Sequence, residues 1–361
     1  KDNMEKIIEC ATAPLEYTWW ADADKPFSFL AFCFEMKSYS ESKFDSSFIT
    51  TLPIQADCSN SGLQHYSAMM RDEVGGRATN LVPSNKPADV YNLVAKRVTE
   101  KLKSKTDELA TKWLAYGIDR KICKKPVMCL PYSLTRYSCR QYIEDHIVRE
   151  LNERGTTHEF GEDLFKATAY LTPIVWESIN DVVVKAREIM EYLKTIARLV
   201  ASENLPVCWT TPLGFPVQML CYKKESKRVK TKMGDSIVKL SIASETDVID
   251  KRRVAQSCCP NLIHSLDSSV LLLGVVKAKE AGVDNFSMIH DSFGCTAPEN
   301  KIMATAVREA FVEIYRNDVL LNWSNEMKAM LSEKNLKKFP KMPSKGNLDL
   351  DEVLKSVFFC I

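Results

Sequence analysis

Hydrophobic residues recur at three- and four-residue spacings along several stretches of the chain. The clearest stretch is 86–114, and the same spacing is found over 175–203 and 265–281. Because an α-helix turns once in about 3.6 residues, this pattern places apolar side chains on one face and predicts helices. The apolar, aromatic run over 25–36 has no decisive period, so it fits a buried helix or a buried strand.

Three other stretches have the composition of strands. Residues 46–56 lead into Asp57, and residues 205–242 place β-rich runs on either side of a Met-Gly-Asp turn. A short run over 286–290 stops at Asp291 before a second β-like run, which predicts a hairpin with this aspartate at its tip. We therefore predict an α+β fold whose sheet is built from the beginning and the end of the chain, with a helical insertion between.

Composition and length define the class of protein. Of 361 residues, 45% are hydrophobic and 27% are charged, which is typical of a globular chain of two or three domains, or one domain with a large insertion. No apolar run reaches the roughly 18 residues of a membrane-spanning helix, so we expect no membrane partner. The first residues carry no signal peptide and begin inside an amphipathic stretch, so we expect the protein to start on another segment or chain.

The twelve cysteines include no Cys-x-x-Cys pair, and most lie in apolar runs where a thiol behaves as a small hydrophobe. This spacing supports neither a zinc site nor a disulfide framework. We therefore expect reduced cysteines and an intracellular protein.

Charge is nearly balanced, with 49 basic and 47 acidic residues and a net charge of +2. Taken alone, this balance weakly disfavours nucleic-acid binding, because such domains are often strongly basic. Basic residues nevertheless concentrate over 120–125 and 222–232. Since the distribution of charge matters more than its sum, an anionic partner is not excluded.

Asp57 and Asp291 follow different predicted strands. Two carboxylates presented in this way suit a two-metal site for phosphoryl transfer, because divalent cations about 4 Å apart can activate the attacking oxygen and stabilise the leaving one. Taken singly, each aspartate is better explained as a turn residue. The motifs around them favour the metal site.

Four segments, in order along the chain, resemble the motifs of one family. Residues 57–77, which begin DCSNSGLQHYSAMMRD, resemble motif A of the single-subunit DNA-directed RNA polymerases of the bacteriophage T7 type. Residues 120–132 resemble their motif B helix, 260–265 another shared segment, and 290–294 (HDSFG) their motif C. The resemblance extends from about Pro14 to the end of the chain.

This resemblance implies a right-hand polymerase fold in which the palm sheet is split around a mainly helical fingers insertion. The palm would comprise 1–85 and 265–361, and the fingers 86–264. The fingers would carry the motif B helix at about 120–138 and the specificity hairpin at about 222–248. The thumb and the amino-terminal domain of the family would be absent from this chain, so the resemblance also implies a missing polymerase segment or second subunit as a partner.

The implied activity is the template-directed addition of ribonucleotides to an RNA 3′ end, with release of pyrophosphate. By motif position, Asp57 and Asp291 would hold two Mg²⁺ ions. The implied partners are a DNA template, nascent RNA and ribonucleoside triphosphates, in the cytoplasm of an infected bacterial host rather than in an organelle. Two alternatives stay open: a DNA polymerase of the same fold, and a non-catalytic nucleic-acid-binding remnant.

The first basic run matches the family's triphosphate-binding residues at Arg120, Lys124 and Lys125. Arg120 and Lys124 are four residues apart, so a helix places them on one face. Without the resemblance, a solvated basic face would be the commoner interpretation. Tyr132 matches the tyrosine that packs beside the incoming sugar, with a core aromatic as the alternative. Lys124 and Tyr132 thus join the two aspartates as expected catalytic residues.

Three residues depart from the family pattern. Pro126 and Pro131 each remove a backbone hydrogen bond from the expected helix and can kink it. Ser133 stands where the family commonly has glycine. We expect the path of the helix and the presentation of Tyr132 to be altered, and activity to be changed rather than lost.

Gly62 lies five residues after the first aspartate, where related DNA polymerases usually carry a glutamate that blocks a 2′-hydroxyl. A glycine leaves room for ribose, although it would also suit a backbone with positive φ. His264 resembles the histidine that works with the tyrosine near the 2′-hydroxyl, and a structural histidine explains it equally well. We assign His65 no chemistry and expect His290 to be a structural neighbour of the second aspartate.

Lys227, Arg228 and Lys230 lie in the second basic run, beside the predicted hairpin turn. A basic β-ribbon can enter a DNA groove, where phosphate contacts position it and a few side chains read bases. The family's promoter-specificity loop lies in this region, so the resemblance implies that these residues bind DNA. The alternative is a solvated edge hairpin that its lysines protect.

Overall fold

The computed structural model describes residues 3–154, 160 and 163–360. The α-helices in this part of the chain are α1 (Met4–Thr12), α2 (Pro26–Glu41), α3 (Ser61–Met70), α4 (Glu73–Ala78), α5 (Val90–Lys103), α6 (Glu108–Tyr116), α7 (Arg120–Cys129), α8 (Arg136–Arg154), α9 (Leu164–Val182), α10 (Val184–Ser202), α11 (Lys251–Glu280), α12 (Asn300–Arg316), α13 (Val319–Ala329), α14 (Glu333–Leu336) and α15 (Glu352–Lys355). The strands are β1 (Ile54–Asp57), β2 (Val207–Thr210), β3 (Pro216–Met219), β4 (Tyr222–Met233), β5 (Ser236–Ile249), β6 (Ser287–Ile289) and β7 (Ser292–Cys295). The prediction of a mixed helix-and-strand chain is confirmed.

The sheet that carries the two aspartates joins distant parts of the chain. Its strand order is β1-β7-β6, and all pairs are antiparallel. Asp57 is opposite Ser292, the residue that follows Asp291. Only the last part of 46–56 forms a strand. As predicted from the sequence, this sheet unites an early strand with a late hairpin, and helices α3 to α11 lie between them in the chain.

Several predicted helices have different limits in the structure. The run over 25–36 lies within helix α2, and α11 begins 14 residues before Ser265, at Lys251, where Asp250 accepts hydrogen bonds from the first backbone amides. The stretch 175–203 belongs to two helices that Val183, at φ −120° and ψ 52°, separates. Local aspartates that cap helices therefore set boundaries that hydrophobic spacing alone does not locate.

The motif B segment is not one helix over 120–138. Helix α7 continues through Pro126 but ends at Cys129, and a 3₁₀ turn follows over Leu130–Tyr132. Ser133 then adopts the left-handed conformation, with φ 65° and ψ 42°, before α8 begins. The expected alteration of the helix is thus a break at Pro131 and Ser133, which turns the chain immediately after Tyr132.

Helix α11 lies at the centre of the main hydrophobic core, where it packs against α3, α10 and α12. By length and composition it is the one helix in the described ranges that could cross a membrane, with a mean hydropathy of 1.3 in its most apolar window. The sequence prediction of no such helix therefore needs correction. Its packing partners and the buried Asp267 are features of a core helix, and 44% of the window is buried inside the structure.

The expectation of fully reduced cysteines is also wrong in this structure. Cys58 and Cys360 form a disulfide although 302 residues separate them. A search for close cysteine spacing misses this pair, because tertiary packing alone brings the end of the chain beside β1. The other ten cysteines are free.

Candidate active site

A cavity of about 590 Å³ opens between the ends of β1 and β7, the start of α3, the start of α5 and one face of α7. Five of the residues singled out in the sequence line it: Asp57, Asp291, Arg120, Lys124 and Tyr132. Residues from positions as distant as 57 and 291 thus share one space. Its lining combines three carboxylates, those of Asp57, Asp89 and Asp291, with two cationic side chains. Binding of a metal-bound phosphate group requires carboxylates for the metal and cationic side chains for the phosphate.

The two aspartates are held by the backbone of the sheet. Asp57 is the last residue of β1, and the backbone N–H of Cys58 donates to the carbonyl oxygen of Asp291 over 3.2 Å. Partial burial and the negative charge of Asp291 raise the pKa of Asp57, and Lys124 opposes this shift. Two acceptor-only groups that repel each other beside a cavity are a fitting oxygen-ligand set for a divalent cation.

A chain of polar contacts extends from Asp291 into the core. His290 Nδ1 lies 3.1 Å from Asp291 Oδ1, and its Nε2 lies 3.6 Å from Asp267 Oδ2. The other oxygen of Asp267 lies 2.8 Å from His65 Nε2, and His65 also contacts the hydroxyl of Tyr315. Two buried residues are therefore linked, through His290, to a candidate metal ligand.

Charges along this chain of contacts oppose the effect of burial. Burial disfavours the ionised form of Asp267, yet His65 and His290 hold the pKa of its carboxyl below the usual value. Burial lowers the pKa of His290, but Asp291 and Asp267 outweigh it and leave that pKa raised. The ligand atoms of His264, Asp267 and His290 also lie within 4.8 Å of one another, close enough to hold a metal ion. His290 contacts Asp291, as expected of its structural neighbour, and it also contacts the buried Asp267.

The three predicted phosphate-binding residues do not share one surface. Arg120 lines the cavity, donates to Asp89 over 2.6 Å and lies 5.0 Å above the ring of Tyr91. Lys124 lines the same cavity and also a second cavity of about 440 Å³ between α7 and α8. Lys125 lines only the second of these two cavities, with its Nζ 4.5 Å from the ring centre of Tyr142. Successive helical residues are about 100° apart, so Lys124 lies between the directions of Arg120 and Lys125 and borders both cavities.

The rings of Tyr132 and His264 are stacked, with centroids 4.8 Å apart. Burial, with a smaller contribution from Asp267, raises the pKa of Tyr132 to about 12, so its hydroxyl stays protonated at neutral pH. Burial lowers the pKa of His264.

Gly62 lies inside α3 and has no positive φ, so the backbone explanation of this glycine does not hold. A Cβ added there would lie 2.7 Å from Pro131 Cβ and 3.4 Å from the Tyr132 hydroxyl oxygen. The glycine therefore allows α3 to approach the turn that presents Tyr132. It also keeps space open beside that hydroxyl.

The basic hairpin has two different faces. Paired residues of antiparallel strands share a face, and Arg228 is opposite Ser241 while Lys230 is opposite Lys239. Lys227 is opposite Ile242 and lies on the other face, which also carries Val229 and Leu240. The structure thus separates Lys227 from the other two predicted DNA-binding residues.

The sequence analysis did not single out several residues that shape this site. Tyr91 and Asp89 line the cavity and contact Arg120, and Asp267 connects the buried histidine to the hairpin. Asn60, with φ 69°, caps α3 and positions its first turn. A polar residue directly before a helical pattern was a usable signal for Asn60 and Asp89. For Asp267, the only local sequence signal was its position three residues after His264.

The chain is similar to known proteins over almost its whole length. The family model described as DNA-dependent RNA polymerase matches residues 1–338. T7 RNA polymerase of Escherichia phage T7 is 36% identical over 405 residues, which cover 99% of this chain and 45% of the relative. The mitochondrial DNA-directed RNA polymerase 1 of Arabidopsis thaliana is 35% identical over 370 residues, 99% of this chain and 36% of the relative.

A solved structure also matches, the POL domain of Pol1 from M. smegmatis in complex with DNA primer-template and dNTP. It covers 74% of this chain and 37% of its own, with a TM-score of 0.40 and 15% identity, too low to define how the domains are arranged. The chain spans less than half the length of the phage and plant relatives that it matches. The extent of the family match and the identity over nearly all of its residues place this chain in the DNA-dependent RNA polymerase family.

Proposed function

We propose that this chain is the catalytic part of a DNA-directed RNA polymerase that adds ribonucleotides to an RNA 3′ end by a two-metal mechanism. One observation carries the proposal: Asp57 ends β1, Asp291 directly precedes the neighbouring strand β7, and both line one cavity with Arg120 and Lys124. Under this proposal, 1–85 and 265–361 are the two parts of the palm and 86–264 the fingers.

The donor set fits divalent metal. Asp57 and Asp291 are oxygen ligands whose mutual repulsion a cation would relieve, and the raised pKa of Asp57 reflects that repulsion together with burial. Two Mg²⁺ ions held there would neutralise phosphate charge and favour ionisation of the attacking hydroxyl. Mg²⁺ is the natural choice, since it is bound by a few carboxylates together with substrate phosphates.

The protein's own groups would orient the reactants. Arg120 and Lys124 would bind the triphosphate, with Arg120 exchanging Asp89 for a phosphate oxygen. The RNA 3′-oxygen would form a bond to the α-phosphorus, and the bond from that phosphorus to the oxygen that bridges to the β-phosphate would break, so that pyrophosphate leaves. Lys124 would offset the charge that develops.

Substrate choice would depend on Gly62 and Tyr132. The protonated hydroxyl of Tyr132 can donate a hydrogen bond to the ribose, and Gly62 leaves the neighbouring space open. These features support an RNA polymerase over a DNA polymerase of the same fold. The intact aspartate pair argues against a non-catalytic remnant.

We further propose a DNA template, nascent RNA and ribonucleoside triphosphates as partners, together with the polymerase segment that the longer relatives contain. Arg228 and Lys230 would meet DNA phosphates from the basic face of the hairpin, and Lys227 would contribute less. Relatives include phage and organellar enzymes. The cytoplasm of an infected bacterial host is the location that we propose.

The test is extension of an RNA primer on a DNA template with Mg²⁺, using this chain together with the polypeptide that supplies the remaining polymerase segment. Ribonucleotide addition is expected, and Asp57→Asn and Asp291→Asn should abolish it while template binding remains. Asp284→Asn is the matched control, because Asp284 is an exposed carboxylate paired with Lys279 outside the cavity. Substantial extension by either site variant would refute the two-metal assignment, and a preference for deoxyribonucleotides would favour a DNA polymerase.

A further inference from the structure

The residue that follows Asp57 is covalently tied to the end of the chain. Cys58 forms a disulfide with Cys360, and the same two residues form an isolated antiparallel bridge. The backbone N–H of Cys58 also donates to the carbonyl oxygen of Asp291 over 3.2 Å. One cysteine thus contacts the backbone of both candidate metal ligands and the last described residue.

The segment around Cys360 is seated on the same elements by weaker bonds. The carbonyl oxygen of Phe359 accepts from Gln64 Nε2 over 3.0 Å and from the Ser59 backbone N–H over 3.4 Å. The ring of Phe359 is buried against Phe311, with centroids 5.0 Å apart. These contacts can keep the segment near β1 without the disulfide. The covalent bond adds a constraint on Cys360 beside the site.

Cys58 and Cys360 differ from most other cysteines of the chain. Both are only half-buried, so a small thiol reagent can reach them, whereas most of the ten free cysteines are buried. A chain in an oxidising compartment would be expected to pair more of its thiols, and an isolated disulfide among free cysteines is typical of a redox-sensing or transient bond. Location and access therefore single out this pair.

We propose that Cys58 and Cys360 are a redox-active pair, whose disulfide clamps the end of the chain to the strand that carries Asp57 and whose reduction slows nucleotide addition. The clamp holds the Cys58 backbone, and through it the carbonyl of Asp291, in one position. Reduction leaves hydrogen bonds alone to hold them. The effect on rate rests on the proposed function, whereas the clamp itself does not.

The bond would form by exchange with a low-molecular-weight disulfide. The thiolate of one cysteine attacks a sulfur of the reagent, breaks its S–S bond and releases one thiolate. The second cysteine thiolate then attacks the mixed disulfide and releases the other. The two protons lost by the cysteines end on the two released thiols, so the reagent is reduced as the pair is oxidised. A dithiol reverses both steps.

The first test measures thiols and mobility without any need for activity. The full chain is equilibrated with mixtures of reduced and oxidised glutathione, alkylated under denaturing conditions and mapped by mass spectrometry. Cys58 and Cys360 should become protected from alkylation together, while Cys208 stays reactive. Amide hydrogen exchange over 356–360 should rise on reduction and in Cys360→Ser. The clamp would be overturned if both cysteines were alkylated at every glutathione ratio. It would also be overturned if amide hydrogen exchange over 356–360 were the same in the oxidised and reduced chains.

The second test concerns rate. Reduction should slow ribonucleotide addition about tenfold, because small displacements of reacting groups are costly. Cys58→Ser and Cys360→Ser should show the slow rate in both redox states. Cys208→Ser, which changes a free cysteine of β2, should respond to redox conditions as the unmodified chain does. An equal rate in the two redox states of the unmodified chain would overturn the regulatory part. Activity that is absent in both states would instead count against the proposed function, since the thiol and exchange measurements decide the clamp separately.

Discussion

The ring of Tyr132 stacks on that of His264 with centroids 4.8 Å apart and an angle of 30° between the planes. Tyr132 belongs to the turn after α7, and His264 lies midway along α11, so the stack joins the turn that lines the cavity to the core helix α11. The tyrosine ring and its hydroxyl therefore have separable roles. The ring packs, whereas the hydroxyl is available for hydrogen bonding.

Tyr132→Phe should keep the stack and lose the hydroxyl. We expect the preference for ribonucleotides over deoxyribonucleotides to fall, with little change in melting temperature. Competition between the two nucleotide types in primer extension measures this. Tyr142→Phe, on the far side of α7, is the control and should leave selectivity unchanged. Full selectivity in Tyr132→Phe would show that this hydroxyl does not read the sugar.

Gly62→Ala should be destabilising, because its Cβ would lie 2.7 Å from Pro131 Cβ. Overpacking of this kind costs about 1–3 kcal/mol. Gly274→Ala is a matched control in α11, where the added Cβ would lie 3.5 Å from Val307 Cγ2, an ordinary contact. Since glycine is a poor helix former, this control should be neutral or slightly stabilising. Denaturant unfolding of both variants measures the difference, and equal stability of the two would contradict the close approach of α3 to the turn.

Removal of metal should expose the repulsion between the aspartates. The pKa of Asp57 is raised in the folded chain, so ionisation of this group costs stability as pH rises through that pKa. In EDTA at neutral pH, Asp57→Asn should therefore melt no lower than the unmodified chain, and its advantage should disappear at acid pH. At ten times the Kd of Mg²⁺, the unmodified chain should gain about 1.4 kcal/mol. Melting curves with and without Mg²⁺ test this, and an equal gain in Asp57→Asn would exclude this aspartate as a ligand.

The two faces of the hairpin predict unequal effects on DNA binding. Arg228→Ala and Lys230→Ala should each reduce the slope of log affinity against log salt by about one unit if each contacts one phosphate. Lys227→Ala should change the slope less, because its side chain is on the face with Ile242. Salt titrations of promoter-free duplex binding compare the three variants. If the three variants had equal salt dependence, the face of the hairpin on which a residue lies would not determine whether it contacts DNA.

Ser133 holds a backbone conformation that favours glycine, with φ 65° and ψ 42°. Left-handed backbone costs a residue with a side chain about 1–2 kcal/mol, so Ser133→Gly should stabilise the chain by up to that amount. Ser138→Gly, inside α8, should have the opposite effect because glycine weakens helix interiors. Thermal unfolding of the two variants shows directly whether each substitution stabilises or destabilises the chain. If Ser133→Gly were instead destabilised, the Ser133 hydroxyl would stabilise the fold by more than its left-handed backbone destabilises it.

Hydrophobic patterns along the chain predicted the elements whose formation depends on neighbouring residues. The runs before Asp57 and Asp291 indicated strands, and the resemblance of whole motifs indicated that these strands meet, as they do in the β1-β7-β6 sheet. Patterns did not predict that Lys125 lies outside the cavity that holds the two aspartates, because that depends on where the axis of α7 lies relative to β1. The Cys58–Cys360 bond and the contacts of Asp267 were also missed, since each joins residues that only the completed tertiary structure brings together.

The pairing of β1 with β7 has a consequence for synthesis of the protein. The strand that ends at Asp57 has its partner in residues 292–295, so the two carboxylates cannot meet until the ribosome has made the whole insertion between them. The insertion must therefore reach a shape that returns the chain to β1 before any site exists. Nascent chains that stop short of β7 would leave β1 without its partner strand and would not bring Asp57 and Asp291 together.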